Sequence, residues 1–100
     1  MQMSDSNSQR CFEFRRQIDG VTYRYRPCEP RNGFPAWKRE DLDLWLVWLS
    51  EFGWVGVNAQ EEILCVPWAV SINKQSVEPP SGVWVSRKAE RSYVYDFVYV

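Results

Sequence analysis

The sequence predicts an α+β domain in which one amphipathic helix packs on one face of an antiparallel sheet of about five to six strands. Three observations lead to this fold class. An Asp-Gly turn lies between two alternating segments near the N-terminus, helical spacing follows in the middle of the chain, and the second half is rich in β-branched and aromatic residues. The predicted order of elements is ββαββββ.

The first two strands are predicted to form a hairpin. Apolar and polar residues alternate on both sides of Asp19-Gly20, the dipeptide that favours a two-residue turn. Such a turn makes one face of the hairpin apolar and the other mostly basic, with Arg15 directly opposite Arg24. The predicted pairs are Ile18 with Val21, Arg16 with Tyr23, Phe14 with Tyr25, Arg15 with Arg24 and Glu13 with Arg26.

The central helix is predicted over residues 37–52. Residues 27–35 contain three prolines, so they are expected to be an irregular connection before the helix. Gly53 is placed to end the helix. The apolar residues at spacing i, i+3, i+4 and i+7 are Leu42, Trp45, Leu46 and Leu49. Leu44 and Trp48 add a second apolar flank that something else must cover.

Four further strands are predicted over residues 54–57, 63–72, 83–88 and 93–100. Pro67 indicates an edge, a bulge or a break in the second of these segments. The polar segment 73–82 is predicted to be an exposed loop. The last strand is expected to be central in the sheet, with addition to a partner's sheet as the alternative if it is an edge.

Length and composition predict one domain over residues 11–100, preceded by a flexible tail at residues 1–10. The chain has 100 residues, of which 45 % are hydrophobic and 25 % charged, as in ordinary globular domains. The formal net charge is −1. Residues 1–40 hold eight basic and five acidic residues, a local charge of +3, so the basic excess lies in the N-terminal part.

The residue inventory argues against catalysis, metals and cofactors. The chain has no histidine, and its three cysteines, Cys11, Cys28 and Cys65, form no Cys-x-x-Cys pair. No motif pairs a nucleophile with a base. We therefore expect no enzyme activity, no cofactor and no metal site, and the odd cysteine count favours a reducing, cytoplasmic compartment. The longest apolar run, residues 44–49, is too short to span a membrane.

Two groups of residues are the candidate partner-binding site. Arg15, Arg24 and Arg26 share the basic hairpin face, which is predicted to contact an acidic protein patch or phosphates. Leu44 and Trp48, on the second flank of the predicted helix, are the candidate apolar anchor, because exposed tryptophan beside arginine is typical of binding hot spots.

The predicted function is non-enzymatic protein recognition, by an inhibitor that masks a surface of a larger protein or protein–nucleic-acid complex. Proteins of similar size and composition include phage or mobile-element inhibitors of host defence, such as anti-CRISPR proteins, and toxin-immunity proteins. Two alternatives remain open at this point. One is a module that binds single-stranded nucleic acid through the basic hairpin, and the other is a homodimeric structural subunit.

Overall fold

The computed structural model describes residues 10–88 and 90–100, which form a closed antiparallel barrel of eight strands. Each strand pairs with the next one in the chain, and the last pairs with the first. A short 3-10 helix, Ile72–Lys74, lies between the sixth and seventh strands. The strands are Phe12–Arg16 (β1), Thr22–Arg31 (β2), Phe34–Arg39 (β3), Leu44–Leu49 (β4), Gly53–Asn58 (β5), Ile63–Pro67 (β6), Gly82–Lys88 (β7) and Arg91–Tyr99 (β8).

The predicted α+β class is wrong, because the segment assigned to the helix is the end of β3, strand β4 and the turn after it. Strand β4 pairs with both β3 and β5. Successive strand residues point to opposite faces, so Leu46 enters the barrel interior and Val47 lies on the outer face. Both are at most 1 % exposed. A strand buried on both faces is apolar throughout, and such a run also fits helical spacing.

The outer side of β3, β4 and β5 is covered by its own side chains. Ala36, Val47, Val55 and Val57 form a cluster there, and the partly buried Trp45 packs against it. The Trp45 ring therefore shields this outward-facing row of small side chains from water.

The first hairpin forms, but its predicted register is wrong by two residues. Arg15 lies opposite Thr22, and Arg24 lies opposite Glu13. The connection is longer than the predicted two-residue turn, because residues 17–21 all lie between the last paired positions and the Arg16 amide donates to the Val21 carbonyl. A shift of two residues keeps every side chain on its predicted face while changing its partner.

The proline-rich segment is not an irregular connection. Strand β2 continues to Arg31, and the turn to β3 is Asn32-Gly33, whose φ angles of 57° and 78° fit the two-residue hairpin turn that this dipeptide favours. Pro27 pairs with Trp37, and the strand register shifts between Cys28 and Arg31. The register shift lies at Pro30, which has no N–H to donate to the ladder of hydrogen bonds.

Three of the four later segments coincide closely with β5, β7 and β8, whereas the segment predicted over residues 63–72 contains β6 and five residues that are not in a strand. Strand β6 ends at Pro67, where the sequence indicated a break. Strand β8 pairs with β7 on one side and with β1 on the other, so it has no edge at which a partner strand could add. Within residues 10–88 and 90–100, no helix has the length and apolar character that crossing a membrane requires.

The barrel interior is filled by aromatic rings. Phe12 lies between Tyr25 and Phe97, with ring-centroid distances of 4.7 and 4.1 Å. Trp37, Trp54 and Trp84 surround this stack and are fully buried. Stacked and edge-to-face aromatic contacts add to the free energy gained by burying their area.

Each of the three buried indoles donates its N–H to a backbone carbonyl outside the strands. The acceptors are Arg10 for Trp37 at 2.7 Å, Ser76 for Trp54 at 3.0 Å and Pro80 for Trp84 at 2.8 Å. Two of these carbonyls belong to the segment between β6 and β7. That segment is largely exposed, as predicted, and it also packs across one end of the barrel, which we call the closed end.

Gln75 ties this segment to the barrel wall. Its side-chain oxygen accepts a hydrogen bond from the Trp54 amide at 2.8 Å, and its side-chain nitrogen donates to the Val70 carbonyl at 3.0 Å. Gly53 leaves room for the side chain, because a Cβ atom there would lie 2.6 Å from the Gln75 oxygen.

We expect Gln75→Ala to lower the free energy of unfolding by about 1–3 kcal/mol, because the part-buried Trp54 amide loses its acceptor. Urea unfolding followed by tryptophan fluorescence measures this difference. Gln60→Ala, in the exposed turn after β5, is the matched control and should change stability little. Equal stability of the two variants would contradict this role of Gln75.

Of the predicted flexible tail, residues 1–9 lie outside the described residues. Arg10 contacts the barrel, since its guanidinium lies 4.5 Å from the centroid of the Tyr99 ring and its carbonyl accepts from Trp37.

Candidate functional site at the open mouth of the barrel

A cavity of about 580 Å³ occupies the end of the barrel opposite the closed end. It lies where the connections β1–β2, β3–β4, β5–β6 and β7–β8 meet, and we call it the mouth. Its size is within the range of small-molecule sites in proteins. Because the deeper interior is packed with aromatic rings, the mouth is a cup above a filled core.

The mouth has two chemically different walls. Strands β8, β1 and β2 contribute an aromatic wall, and the segments from residue 42 to residue 65 contribute a mainly aliphatic wall. The aromatic wall consists of Phe14, Tyr23, Tyr25, Tyr93 and Tyr95, and the aliphatic wall contains Leu42, Leu44 and Leu64.

Two arginines lie against the aromatic wall. The Arg39 guanidinium is 3.8 Å from the centroid of the Tyr23 ring, a stacking distance. The Arg16 guanidinium is 4.8 Å from the centroid of Tyr93 and 5.9 Å from that of Tyr23. Cation–π contact of this kind holds a guanidinium flat on the ring. The Arg39 and Arg16 side chains are only 12 % and 19 % exposed, so both charges are largely withdrawn from water.

An aspartate fixes the orientation of each arginine. Asp41 accepts from Nε and Nη2 of Arg39 at 2.6 and 3.1 Å, and Asp19 accepts from the same atoms of Arg16 at 3.0 and 2.8 Å. These hydrogen bonds hold the pKa of both carboxyls below the ordinary value. Each two-point pair uses two of the five N–H donors of its guanidinium.

The floor of the mouth carries two buried polar groups, the Tyr25 hydroxyl and the Cys65 thiol. Burial raises the pKa of Tyr25, and it raises the pKa of Cys65 to about 12, so both groups are neutral at physiological pH. The Tyr25 side chain is 6 % exposed, and its hydroxyl makes no hydrogen bond to any described residue.

The charges that line the mouth are all positive. Arg16, Arg39 and Arg87 line it, and the described lining contains no carboxylate. Asp19 and Asp41 reduce the field of the first two arginines from behind. Among the described ion pairs none involves Arg87. The positive charge nearest the cavity is therefore that of the lining arginines, and the two aspartates offset part of it.

The predicted basic face lies on the outside of the barrel, and acidic residues partly neutralise it. Arg15 pairs with Glu13 at 3.0 Å, and Arg24 lies 3.9 Å from Glu13 and 3.7 Å from Glu40. Glu40 also forms an ion pair with Arg26. The face thus has three arginines and two glutamates. The predicted two-residue turn would instead have placed Arg15 directly opposite Arg24. Its attraction for an anionic partner is correspondingly smaller.

The predicted anchor residues lie at opposite ends of β4. Leu44 lines the mouth, whereas Trp48 stacks on Phe34 near the closed end at a ring-centroid distance of 4.8 Å. The two residues are four positions apart along the strand, which is a distance of roughly 13 Å. Trp48 lines a more open groove together with the exposed Phe52. The structure therefore does not bring the two anchor residues together, and the helix flank that joined them is absent from the described chain.

Sequence reasoning missed Arg39, Arg16 and Tyr25 as site residues. The hairpin pattern correctly placed Tyr23 and Tyr25 on the face of Phe14. Arg39 reaches that face only through the pairing of β2 with β3, in which it lies opposite Tyr25. The Asn32-Gly33 dipeptide was the signal that could have predicted this pairing.

We expect the free energy of unfolding to fall as the pH rises from about 9 to 12. Cys65 and Tyr99 have pKa values of about 12 in the folded chain, against ordinary values of 9.0 and 10.0, and the Tyr25 pKa is also raised. In this range the unfolded chain loses protons that the folded chain retains, so ionisation favours unfolding. Urea unfolding at several pH values measures the slope.

Tyr25→Phe should flatten this pH dependence above about pH 10, since it removes one group with a raised pKa. Tyr93→Phe is the control, because the Arg91 side chain lowers the pKa of Tyr93 and its removal should not flatten the slope. Identical slopes for the wild type and Tyr25→Phe would show that Tyr25 is not a buried neutral phenol.

No group of three or more potential metal-ligating side chains occurs among the described residues. Comparison of the chain with models of protein families, with curated proteins and with solved structures gave no match. Function is therefore inferred from the chain's own side chains.

Proposed function

We propose that this chain is a non-enzymatic binding protein that holds a small molecule in the mouth of its barrel. One observation carries the proposal. A cavity of about 580 Å³, walled by aromatic and aliphatic side chains, ends on a buried Tyr25 hydroxyl that makes no hydrogen bond to a described residue. Ligand sites combine apolar walls with a few placed polar groups in this way.

The asymmetry of the barrel supports this position for the site. At the closed end the indole N–H groups of the three buried tryptophans are bonded to backbone carbonyls, and the interior is filled by rings. At the mouth the walls remain separated and arginine charges face the cavity. A ligand would rest on the floor formed by Tyr25 and Cys65.

The chemistry of the lining supports binding over catalysis. A thiol with a pKa of about 12 carries almost no thiolate at neutral pH, so Cys65 is a poor nucleophile. The described lining contains neither histidine nor carboxylate to act as a base. Arginine and neutral tyrosine can orient and hold a ligand.

We also propose a reducing, cytoplasmic setting. Cys11, Cys28 and Cys65 are all free, and Cys65 lies at the floor of the mouth. A reducing compartment keeps such thiols from cross-linking.

We expect the neutral aromatic probe N-phenyl-1-naphthylamine to bind the mouth with a rise in fluorescence. Ser86→Trp should reduce binding at least about tenfold, because Ser86 lines the cavity and an indole there would fill part of it. Ser92→Trp is the matched control, since Ser92 is exposed on β8 and does not line the cavity. Circular dichroism verifies that both variants fold.

Equal probe binding by the two serine variants would overturn the proposal that the mouth is the binding site. Absence of probe binding by the wild type would have the same meaning.

Protein recognition is the second candidate function, and an apolar row on the outside of the barrel favours it. Val66, Val85 and Val94 are paired in register across β6, β7 and β8. Trp68 is 63 % exposed and its amide donates to the Val83 carbonyl at the same side of the sheet. An exposed tryptophan beside aliphatic residues suits an apolar surface on a larger protein, which this chain would mask as an inhibitor.

The double substitution Trp68→Ser with Val94→Thr tests this second function. A partner recovered by wild-type protein should, once purified, bind the double variant at least about tenfold more weakly, while Phe52→Ser, at another exposed apolar position, binds normally. Concentration-dependent mass in light scattering, lost in the double variant, would point instead to a homodimer. Unchanged partner binding would exclude this surface.

A further inference from the structure

We propose that the ligand of the mouth is a planar aromatic anion, a flat ring system that carries one acidic group. This inference rests on the proposed function and adds the chemical class of the ligand. The ring lies between the aromatic and the aliphatic walls, and the acidic group is bound by Arg39 together with the Tyr25 hydroxyl.

Arg39 is built to bind an anion inside the cavity. Stacking on Tyr23 and the two hydrogen bonds to Asp41 hold its guanidinium in one orientation. Asp41 uses Nε and one hydrogen of Nη2, which leaves three N–H donors without a described acceptor. Because the side chain is 12 % exposed, a hydrogen bond to a ligand anion there is weakly screened by solvent.

The Tyr25 hydroxyl supplies a second donor beside Arg39. The two residues are directly opposite one another in the pairing of β2 with β3. Burial keeps the phenol neutral, so its O–H is available to donate to an acidic oxygen. A guanidinium and a hydroxyl that donate to the same group recognise a carboxylate, phosphate or sulfonate more strongly than a neutral ligand.

The walls specify the rest of the ligand. Four tyrosines and Phe14 line one side of the mouth, and leucine side chains line the other. A flat ring can stack against the first wall and exclude water from the second. No carboxylate lines the described cavity itself, and the nearest one to the proposed anion site, Asp41, already accepts two hydrogen bonds from Arg39.

The matched fluorescent probes N-phenyl-1-naphthylamine and 1-anilinonaphthalene-8-sulfonate test the inference, because they share a ring system and differ by one sulfonate. We expect wild-type protein to bind the sulfonate at least about tenfold more tightly than the neutral probe. Tyr25→Phe and Arg39→Gln should each reduce this preference severalfold. Arg24→Gln, on the outside of the barrel, is the control and should leave it unchanged.

The neutral probe also reports whether each variant keeps an intact mouth, so loss of folding is separated from loss of anion recognition. Should Arg39→Gln fail to fold, Tyr25→Phe, which removes only a hydroxyl, should still lower affinity for the sulfonate alone. Displacement of the neutral probe by adenosine monophosphate but not adenosine, or by indole-3-acetate but not indole, would identify the acid as a nucleotide or an aromatic carboxylate.

Three outcomes are distinct. A preference for the sulfonate that depends on Tyr25 and Arg39 supports the inference. Equal affinity for the two probes, both blocked by Ser86→Trp, overturns the inference and retains the proposed function. If Ser86→Trp does not affect the binding of either probe, the inference and the proposed function are both overturned.

Discussion

The pairing of β1 with β8 is the constraint on which the rest of the molecule depends. Phe14 lies opposite Phe97 in this pairing, which closes the sheet and places Phe12 between a ring of β2 and a ring of β8. Closure also removes both sheet edges. The mouth exists only because of it, since Arg16 comes from β1 and the Tyr93 ring beside it comes from β8.

The sequence predicted the first hairpin and the later strands, and strand β4 shows why the closed barrel could not be predicted. Its six residues are all apolar, so they satisfy helical spacing as well as a strand that is buried on both faces. Whether such a segment forms a helix or a strand depends on what covers its outer face. Here Trp45 packs over Val47 and its neighbours on β3 and β5, a contact between strands that spacing along one strand cannot reveal. Its two tryptophans and one valine were the local signal for a strand.

The site was harder to predict than the fold because its chemistry depends on register. The alternation of the first hairpin correctly placed the tyrosines on one face and Arg24 on the other, and a shift of two residues preserved these faces. That shift replaced the expected contact of Arg15 with Arg24 by a contact of Arg24 with Glu13, and so removed much of the reason for an external anion site. The anion-binding candidate Arg39 lies on another strand, and only the turn at Asn32-Gly33 places it beside Tyr25.

The two ends of the barrel bury polar groups in different ways, and this difference supports the mouth as the proposed binding site. At the closed end, Gln75 and the backbone carbonyls of the segment between β6 and β7 accept the hydrogen bonds that Trp54 and Trp84 offer. At the mouth, aspartates accept only part of what the arginines offer, and the hydroxyl of Tyr25 has no described partner. Donors that have partners at one end of the barrel and lack described partners at the other are the reason we propose a ligand that brings acceptors of its own.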